Sequence, residues 1–522
     1  TMANNLIRIA FIAPYFGIGG IERTFLTIAE NLAQKGYVFY FINLGNALFQ
    51  KRFKDAGECF YSPDYNEVIR FLKDKQIDIV QTACCDEGNY LAYLAGVSRI
   101  IERPDGLSTA FLTDKIPVDC VVASTESVFK KAQGMYPEKQ VACIYNGVDL
   151  SVFAPQKKTS ALQKKLGICK NDVIIGYCGR LAEPKCLERL IDVFCHLCDS
   201  HQSVKLLIVG DEFPTGNGYK KRLEEYVHAL GIQKRVIFAG SYENPAEVIN
   251  LFSIAVNCSG SYKLPDGTYE TEGIPNAVME AMAVGIPVVA TDSGDTHLLV
   301  KNSCNGFLVD VQNWTQFAEK LMFLLGNPSI RHEMGIVSRQ IVLQKFSKEK
   351  MLCAYEQLYR DVLSRDWSGR YPNTRKKIGN HFLSNQFSWE KLSQKRNKIL
   401  VIRSGNESLF EWTVKKIQRT IVEGELHVLC HEKHYNDVSS YSGIASILSY
   451  SSSALFNPDL MRDTIEELKI MSFEFVFVLF NDLLGRGYEQ VIELSRRSRI
   501  SSIIVVNSLR KAYCYSLDNT LC

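Results

Sequence analysis

The chain has 522 residues, of which 46% are hydrophobic and 22% are charged, and its formal net charge is +3. These totals are those of a globular chain with ample core, and the length predicts about three domains, or a two-domain enzyme with an appendage. The small net charge singles out neither nucleic acid nor a membrane as a partner, and we expect no nucleic-acid binding. No apolar run approaches the roughly 18–20 residues that a membrane-spanning helix needs.

The cysteines point to a reducing compartment. There are 16 of them, scattered along a chain that enters a predicted strand almost at once, so we expect no secretory signal and a cytoplasmic protein. Cys195 and Cys198 are close together, with His196 and His201 nearby, which raises the question of a metal site. Both cysteines, however, share a face of the predicted helix Leu187–Cys198 with apolar residues, so we favour core packing and assign no metal ligand.

The first part of the chain alternates strands and helices. Strand Ile7–Ala13 leads through a glycine-rich turn, Phe16–Glu22, into helix Thr24–Lys35 and strand Val38–Ile42. A βαβ opening of this kind predicts a parallel, doubly wound sheet. A dinucleotide fingerprint would need a glycine where Glu22 stands, so NAD binding is not favoured. Further strands are predicted at Ile77–Gln81, Arg99–Glu102 and Cys120–Ala123.

The alternation starts again after a polar boundary at Gln156–Lys165. Strand Val173–Cys178 is followed by a loop that carries Arg180 and Lys185. Two cations on a loop that leaves a strand can clamp a diphosphate, the arginine by bidentate contacts and the lysine as a point charge. The alternative is a pair of solvated surface cations. Later strands are predicted at Leu206–Val209, Val236–Phe238 and Ile254–Asn257.

Two acidic residues, Glu272 and Glu280, enclose the start of a predicted buried helix. Gly273 and Pro275 mark a turn into this helix, and every residue from Ala277 to Val284 except Glu280 is apolar. A lone carboxylate there is costly unless a sugar diol, a buried arginine or backbone N–H groups pair with it, and the helix N-terminus favours a phosphate. We therefore predict a phosphate-plus-polyol site. The alternative is a crossover helix whose glutamate makes polar contacts with a neighbouring part of the chain.

The stretch from Glu272 to Glu280, followed by Ala-Met-Ala-x-Gly-x-Pro-Val-Val-Ala, resembles the donor-site signature of retaining GT-B glycosyltransferases, in the family called glycosyl transferases group 1 or family 4. The resemblance covers about residues 7–365. It implies an α/β fold with two Rossmann-like domains that face each other across a cleft. The activity it implies is metal-independent, cofactor-free transfer of a hexose or N-acetylhexosamine from a nucleotide sugar, such as a UDP- or GDP-hexose, to a saccharide, glycolipid or protein acceptor. The chain has no Asp-x-Asp pair, which argues against a metal-dependent GT-A enzyme.

The resemblance also implies roles for residues. Glu280 would bind the ribose diol, and Glu272 the sugar hydroxyls. The implied catalytic residues are Arg180, Lys185 and Glu272. The implied donor-binding residues are Gly19, Gly20, Glu280, Gly273, Ile274, Pro275, Asn276, Arg103, Asp105, Gly240 and Tyr242.

Some of these assignments have structural alternatives. Gly19 and Gly20 match a glycine loop that brings N–H groups towards the donor phosphate, but a turn could need them for its backbone alone. Arg103 or Asp105 would replace a histidine that the family often has, or would belong to a solvated turn. The region Gly240–Tyr242 would lie near the base.

The predicted domains are residues 1–155, the acceptor-side domain, and residues 156–345, the donor domain. Residues 346–366 are predicted as a helix that crosses back to the first domain. The basic linker 367–398 can touch anionic lipid at the inner face of the membrane or serve as a solvated spacer, which we favour. Residues 399–522 are predicted as a small α/β domain without an assigned role. Two rival functions stay open, a nucleotide-sugar epimerase on the same fold and a catalytically silent GT-B binding subunit.

Overall fold

The computed structural model describes residues 6–17, 19–62, 64–83, 85–104, 118–135, 140–157, 159–198, 201–212, 218–242, 244–260, 273–364, 388–393, 397–403, 407–421, 423–450, 461–479, 489–498, 500, 502–506 and 512–515. These residues form three separate β-sheets with helices between the strands. The α/β fold class predicted from the sequence is confirmed. In each sheet the third, second, first and fourth strands in chain order are neighbours, so the strand order reverses between the first and fourth strands.

The first domain contains a seven-stranded parallel sheet in the order β3-β2-β1-β4-β5-β6-β7. Its elements are β1 (Ile7–Ala13), α1 (Gly20–Leu32), β2 (Tyr37–Asn43), α2 (Lys51–Ala56), β3 (Glu58–Tyr61), α3 (Tyr65–Asp74), β4 (Ile79–Ala83), α4 (Asp86–Ala95), β5 (Arg99–Arg103), β6 (Cys120–Ala123), α5 (Glu126–Met135) and β7 (Gln140–Cys143). Helix α1 begins at Gly20, four residues before the predicted start, because the last three residues of the glycine-rich turn already belong to the helix.

The second domain contains a six-stranded parallel sheet in the order β10-β9-β8-β11-β12-β13. Its elements are α6 (Ser160–Lys165), β8 (Val173–Cys178), α7 (Leu187–Cys198), β9 (Val204–Val209), α8 (Tyr219–Ala229), β10 (Val236–Gly240), α9 (Ala246–Ile249), β11 (Ile254–Asn257), α10 (Asn276–Val284), β12 (Val288–Thr291), β13 (Gly306–Val309), α11 (Trp314–Gly326) and α12 (Pro328–Lys345). Strands β8 and β11 are buried almost throughout, as strands of a parallel sheet covered on both faces are.

The chain crosses between these domains twice, and the two crossings lie side by side. Val148 on the outgoing segment pairs with Ser347 on the returning one, and the N–H of Val148 donates to the carbonyl of Phe346 at 2.8 Å. Gly147 allows this approach, since a Cβ there would lie 2.7 Å from the Cα of Lys348. Helix α13 (Lys348–Ser364) then packs its apolar face into the core of the first domain.

The third domain contains a six-stranded sheet in the order β16-β15-β14-β17-β18-β19, in which only the edge pair β18–β19 is antiparallel. Its elements are β14 (Asn397–Ile402), α14 (Glu407–Thr420), β15 (Gly424–His431), α15 (Tyr435–Ser439), β16 (Ser446–Tyr450), α16 (Arg462–Met471), β17 (Phe475–Leu479), α17 (Glu489–Arg497), β18 (Ser502–Val506) and β19 (Ala512–Tyr515).

The third domain begins inside the predicted basic linker 367–398. Trp389 stacks on Phe477 with ring centroids 5.5 Å apart, and β14 already starts at Asn397. The basic composition hid this boundary, because Trp389 and Leu392 are the apolar residues of this segment that join the core. Within the described part of the chain, no helix is both long and apolar enough to cross a bilayer.

Candidate functional site

Glu280 is a buried carboxylate on helix α10. Val278, Met279 and every residue from Ala281 to Val284 are buried with it, which explains the almost wholly apolar sequence of this helix. The residue as a whole is 8% exposed. Burial raises the pKa of Glu280 from its ordinary 4.5 to about 7, although the charge of Arg23 acts in the opposite direction. The carboxyl group is therefore poised to change its protonation state near neutral pH.

The partner of Glu280 comes from the other domain. Nη1 of Arg23, in the first turn of helix α1, lies 3.3 Å from Oε1 of Glu280. The two side chains differ in exposure, with Arg23 46% and Glu280 11% accessible. The ion pair therefore spans the cleft, with its arginine half in solvent. A diol that donated hydrogen bonds to this carboxylate would compete only with a partly solvated cation.

The N-termini of two helices meet in the same cleft. Helix α1 begins at Gly20 and helix α10 at Asn276, and neither has a side-chain cap. A Cβ on Gly20 would lie 2.7 Å from Nδ2 of Asn276, so a side chain at this position would displace the Asn276 amide. Free N–H groups and the positive ends of both helix dipoles thus face one small volume, which suits an anion such as a phosphate.

A chain of polar side chains links these helix ends to strand β5. Arg103, the last residue of β5, donates through Nη2 to Oδ1 of Asn146 at 2.7 Å. Asn146 in turn donates through Nδ2 to Oδ1 of Asn276 at 2.9 Å. Thr24 of helix α1 has its hydroxyl 2.9 Å from the carbonyl of Gly20 and 3.3 Å from Oδ1 of Asn146. Arg103 is thus a buried residue connected to the cleft and not part of a solvated turn.

Arg180 and Lys185 lie on the loop that follows β8, where the sheet order reverses. Arg180 is exposed, and its carbonyl accepts a bond from the hydroxyl of Tyr177 at 2.9 Å. Lys185 is half-buried at the end of a short 3₁₀ turn, Glu183–Lys185. Cys178, the last residue of β8, is close enough to Glu280 for the carboxylate charge to add to the burial that raises the pKa of its thiol to about 12. Glu280 therefore lies near the carboxyl end of β8, and the loop that follows this strand carries the two cations.

Gly240 and Tyr242 lie at the end of β10, two strands away from β8 in the sheet. The carbonyl of Gly240 accepts a bond from the N–H of Gly210 at 2.9 Å. Tyr242 packs against the core of the second domain, and Nζ of Lys165 lies 5.7 Å from the centre of its ring. Among the described residues, neither of the two has a hydrogen bond or ion pair with Glu280, so their assignment to a base site stays a prediction.

The remaining residues named in the sequence predictions are placed as follows. Glu272 and Asp105 lie outside the described residues. Gly273, Ile274 and Pro275 directly precede α10, and Gly19 precedes α1. Cys195 and Cys198 pack against the core of the second domain. Among the described residues, no three His, Cys, Asp or Glu side chains come together in a group that could hold a metal ion.

Two cleft residues were missed from the sequence. Arg23 stands only three positions after Gly20, but an exposed cation in an amphipathic helix resembles any solvated residue. Asn146 belongs to an Asn-Gly pair, which predicted a turn and nothing more. Only the tertiary structure places both residues opposite helix α10.

The chain is similar to known glycosyltransferases in sequence and in fold. Residues 158–340 match the family model for glycosyl transferases group 1. The chain is 25% identical over 394 residues to N-acetyl-alpha-D-glucosaminyl L-malate synthase of Bacillus anthracis, which covers 69% of this chain and 98% of that protein.

Solved structures with the same fold cover a similar share of this chain. A glycosyltransferase from Rickettsia africae superposes with a TM-score of 0.60 at 20% identity, over 69% of this chain and 100% of that one. Anabaena Alr3699/HepE, solved in complex with UDP and glucose, superposes with a TM-score of 0.59 at 18% identity, over 69% of this chain and 100% of that one. Both likenesses leave nearly a third of this chain uncovered.

Proposed function

We propose that this chain, which carries a glycosyl transferases group 1 domain and has the GT-B fold, transfers a hexose or N-acetylhexosamine from a nucleoside-diphosphate sugar to a glycan or lipid-linked saccharide. The transfer retains the anomeric configuration and needs no metal. The observation that carries the proposal is the meeting of the N-termini of α1 and α10 in the cleft, with Glu280 one turn further along α10.

The donor diphosphate would bind at these helix ends. The N–H groups of the first turns and the two helix dipoles supply partial positive charge, and Arg180 and Lys185 supply full charges from the loop after β8. As the bond to the sugar breaks, negative charge develops on the diphosphate, and groups already oriented towards it lower the barrier without reorganisation. These cations do the work that a metal ion performs in other transferases, and this is why the proposal includes no metal.

Glu280 would bind the ribose diol. An ionised carboxylate accepts two hydrogen bonds, and a buried one gains more from them than an exposed one because water does not compete. The ion pair with Arg23, at 3.3 Å, is replaced or shared when the ribose arrives. The structures of Anabaena HepE with UDP and glucose support the nucleotide-sugar class of the donor, and the Bacillus relative supports an N-acetylhexosamine as one candidate sugar.

The retaining mechanism rests on the family resemblance. No described side chain is assigned as a nucleophile on the sugar. In the proposed reaction the acceptor attacks the face that the diphosphate leaves, and a phosphate oxygen takes the acceptor proton. Glu272 would hold sugar hydroxyls.

A donor screen tests the proposal. The melting temperature of the purified protein is measured with UDP-, GDP- and ADP-sugars at 100 times an expected Kd. At this concentration a true donor stabilises the folded protein by about 2.7 kcal/mol. For a domain of this size that corresponds to roughly 5–11 °C in Tm. A panel in which no nucleotide sugar raises Tm would reject the nucleotide-sugar site.

The same reagents separate the rival functions. An epimerase converts the stabilising nucleotide sugar without any acceptor, and a silent binding subunit binds it but never releases nucleoside diphosphate. A transferase releases nucleoside diphosphate faster when an acceptor is added. We also expect Lys185→Ala to reduce transfer by about a hundredfold, the scale on which one oriented transition-state contact acts. Transfer within a few-fold of wild type would remove Lys185 from the leaving-group role.

A further inference from the structure

We infer that Arg103, Asn146 and Asn276 form a hydrogen-bond chain with a fixed direction, which orients the amide NH₂ of Asn276 towards the donor diphosphate. Arg103 and Asn146 act here as positioning residues, and Asn276 as the group that contacts the phosphate. The inference rests on the proposed function, because the diphosphate is the ligand it requires. It adds a side-chain donor, and the means of orienting it, to the backbone N–H groups of the helix ends.

The direction of the chain follows from the chemistry of arginine. A guanidinium group can only donate hydrogen bonds, so at the 2.7 Å contact Asn146 must present its oxygen to Arg103. The NH₂ of Asn146 is then the group that faces Asn276, and it meets Oδ1 at 2.9 Å. Since Oδ1 of Asn276 is occupied in this way, Nδ2 must point elsewhere. It lies 2.7 Å from the position that a Cβ on Gly20 would occupy, at the N-terminus of α1.

The surroundings of Arg103 favour an anion at the far end of this chain. Arg103 is 2% exposed, its Nε has no hydrogen-bond partner, and none of the ion pairs in the described part of the chain includes it. Tyr355, a neutral residue close to Arg103, and Gln81, which contacts Tyr355, lie in the same buried region, and Nε2 of Gln81 also lacks a partner. An unpaired buried cation costs several kcal/mol. A diphosphate at Asn276 would supply the missing negative charge, with the two amides relaying the polarisation.

The chain also spans the cleft. Arg103 belongs to the first sheet, Asn146 to the segment that leaves the first domain, and Asn276 to the second domain. All three side chains can be in register only while the ends of α1 and α10 are adjacent. The orientation of the Asn276 amide is therefore coupled to the arrangement of the two domains that brings these helix ends together.

The test compares nucleotides that differ by one phosphate. Titration calorimetry measures Kd for the nucleoside diphosphate and the nucleoside monophosphate of the base that the donor screen identifies. We expect Arg103→Gln to reduce the preference for the diphosphate by about tenfold, because an amide can either donate or accept and no longer fixes the direction. We expect Arg103→Lys, which can only donate, to keep the preference within about threefold of wild type. A residue with only a structural role would weaken both nucleotides alike.

Tyr359→Phe is the matched control. The Tyr359 hydroxyl donates to Oε1 of Gln81 at 2.6 Å in the same buried region, but it lies outside the chain, so its loss should lower Tm and leave the nucleotide preference unchanged. If Arg103→Gln fails to fold, Asn276→Ala at the cleft edge replaces it. We expect this variant to lose affinity for the diphosphate selectively.

Two outcomes would overturn the inference alone. One is an equal loss in Arg103→Gln and Arg103→Lys, and the other is an unchanged diphosphate preference in Asn276→Ala. If the wild-type protein binds no nucleotide at all, the proposed function itself fails.

Discussion

Replacing Glu280 by glutamine should make the protein more stable at alkaline pH and leave it almost unchanged at acid pH. Burial raises the pKa of Glu280 from 4.5 to about 7 in the folded chain, and the unfolded chain returns to the ordinary value. Between these two values the folded state holds a proton that the unfolded state has lost. Stability from this group is therefore complete below about pH 4.5 and is lost as the pH rises through about 7.

The magnitude follows from the difference between the two pKa values. One pKa unit corresponds to about 1.36 kcal/mol, so ionising buried Glu280 costs the fold about 3 kcal/mol by pH 8. Glutamine has the shape of the protonated acid and carries no charge to bury. We expect Glu280→Gln to melt roughly 6–12 °C above wild type at pH 8 and within about 2 °C of it at pH 5.

Scanning calorimetry of both proteins from pH 5 to pH 8 checks this expectation. Glu280→Asp serves as the control, because it keeps the charge at this position. A gap in Tm that does not change with pH would show that Glu280 is not buried in the way described. A wild type more stable than Glu280→Gln at pH 8 would show that the ion pair with Arg23 outweighs the cost of burial.

Three further substitutions test the cleft and the crossing. Arg23→Gln removes the cation that lowers the pKa of its buried partner, so the midpoint of the same pH profile should move to higher pH; an unmoved midpoint would mean that the pair at 3.3 Å has no effect in solution. Gly20→Ala places a Cβ 2.7 Å from Nδ2 of Asn276 and should weaken diphosphate binding by about tenfold or more in calorimetry, and undiminished affinity would contradict the close approach. Gly147→Ala meets the backbone of the returning segment at 2.7 Å and should cost about 1–3 kcal/mol in urea unfolding, whereas Gly134→Ala, in helix α5 with open space around it, should cost nothing.

Much of the fold could be read from the sequence because its signals are local. Strands β1, β6, β8 and β11 and helix α7 have the bounds that their apolar runs predicted. Glycine and proline ended helix α10 where expected, and the αL conformation of Gly285 shows the reason, since a residue with a side chain is strained there. The acidic position within an apolar helix was itself a local signal, and it identified Glu280 as a buried carboxylate.

The sequence alone determined the α/β architecture, the order of its elements and the helix that carries the key carboxylate, because periodicity and turn chemistry act over a few residues. Only the tertiary structure decided what that carboxylate meets. Arg23 is 257 residues away from Glu280 along the chain, and Asn146 is 130 away from Asn276. Contacts of this kind depend on how two domains pack, which no local pattern encodes. These contacts place the exposed Arg23 in a salt bridge with Glu280 and connect the buried Arg103 to the cleft.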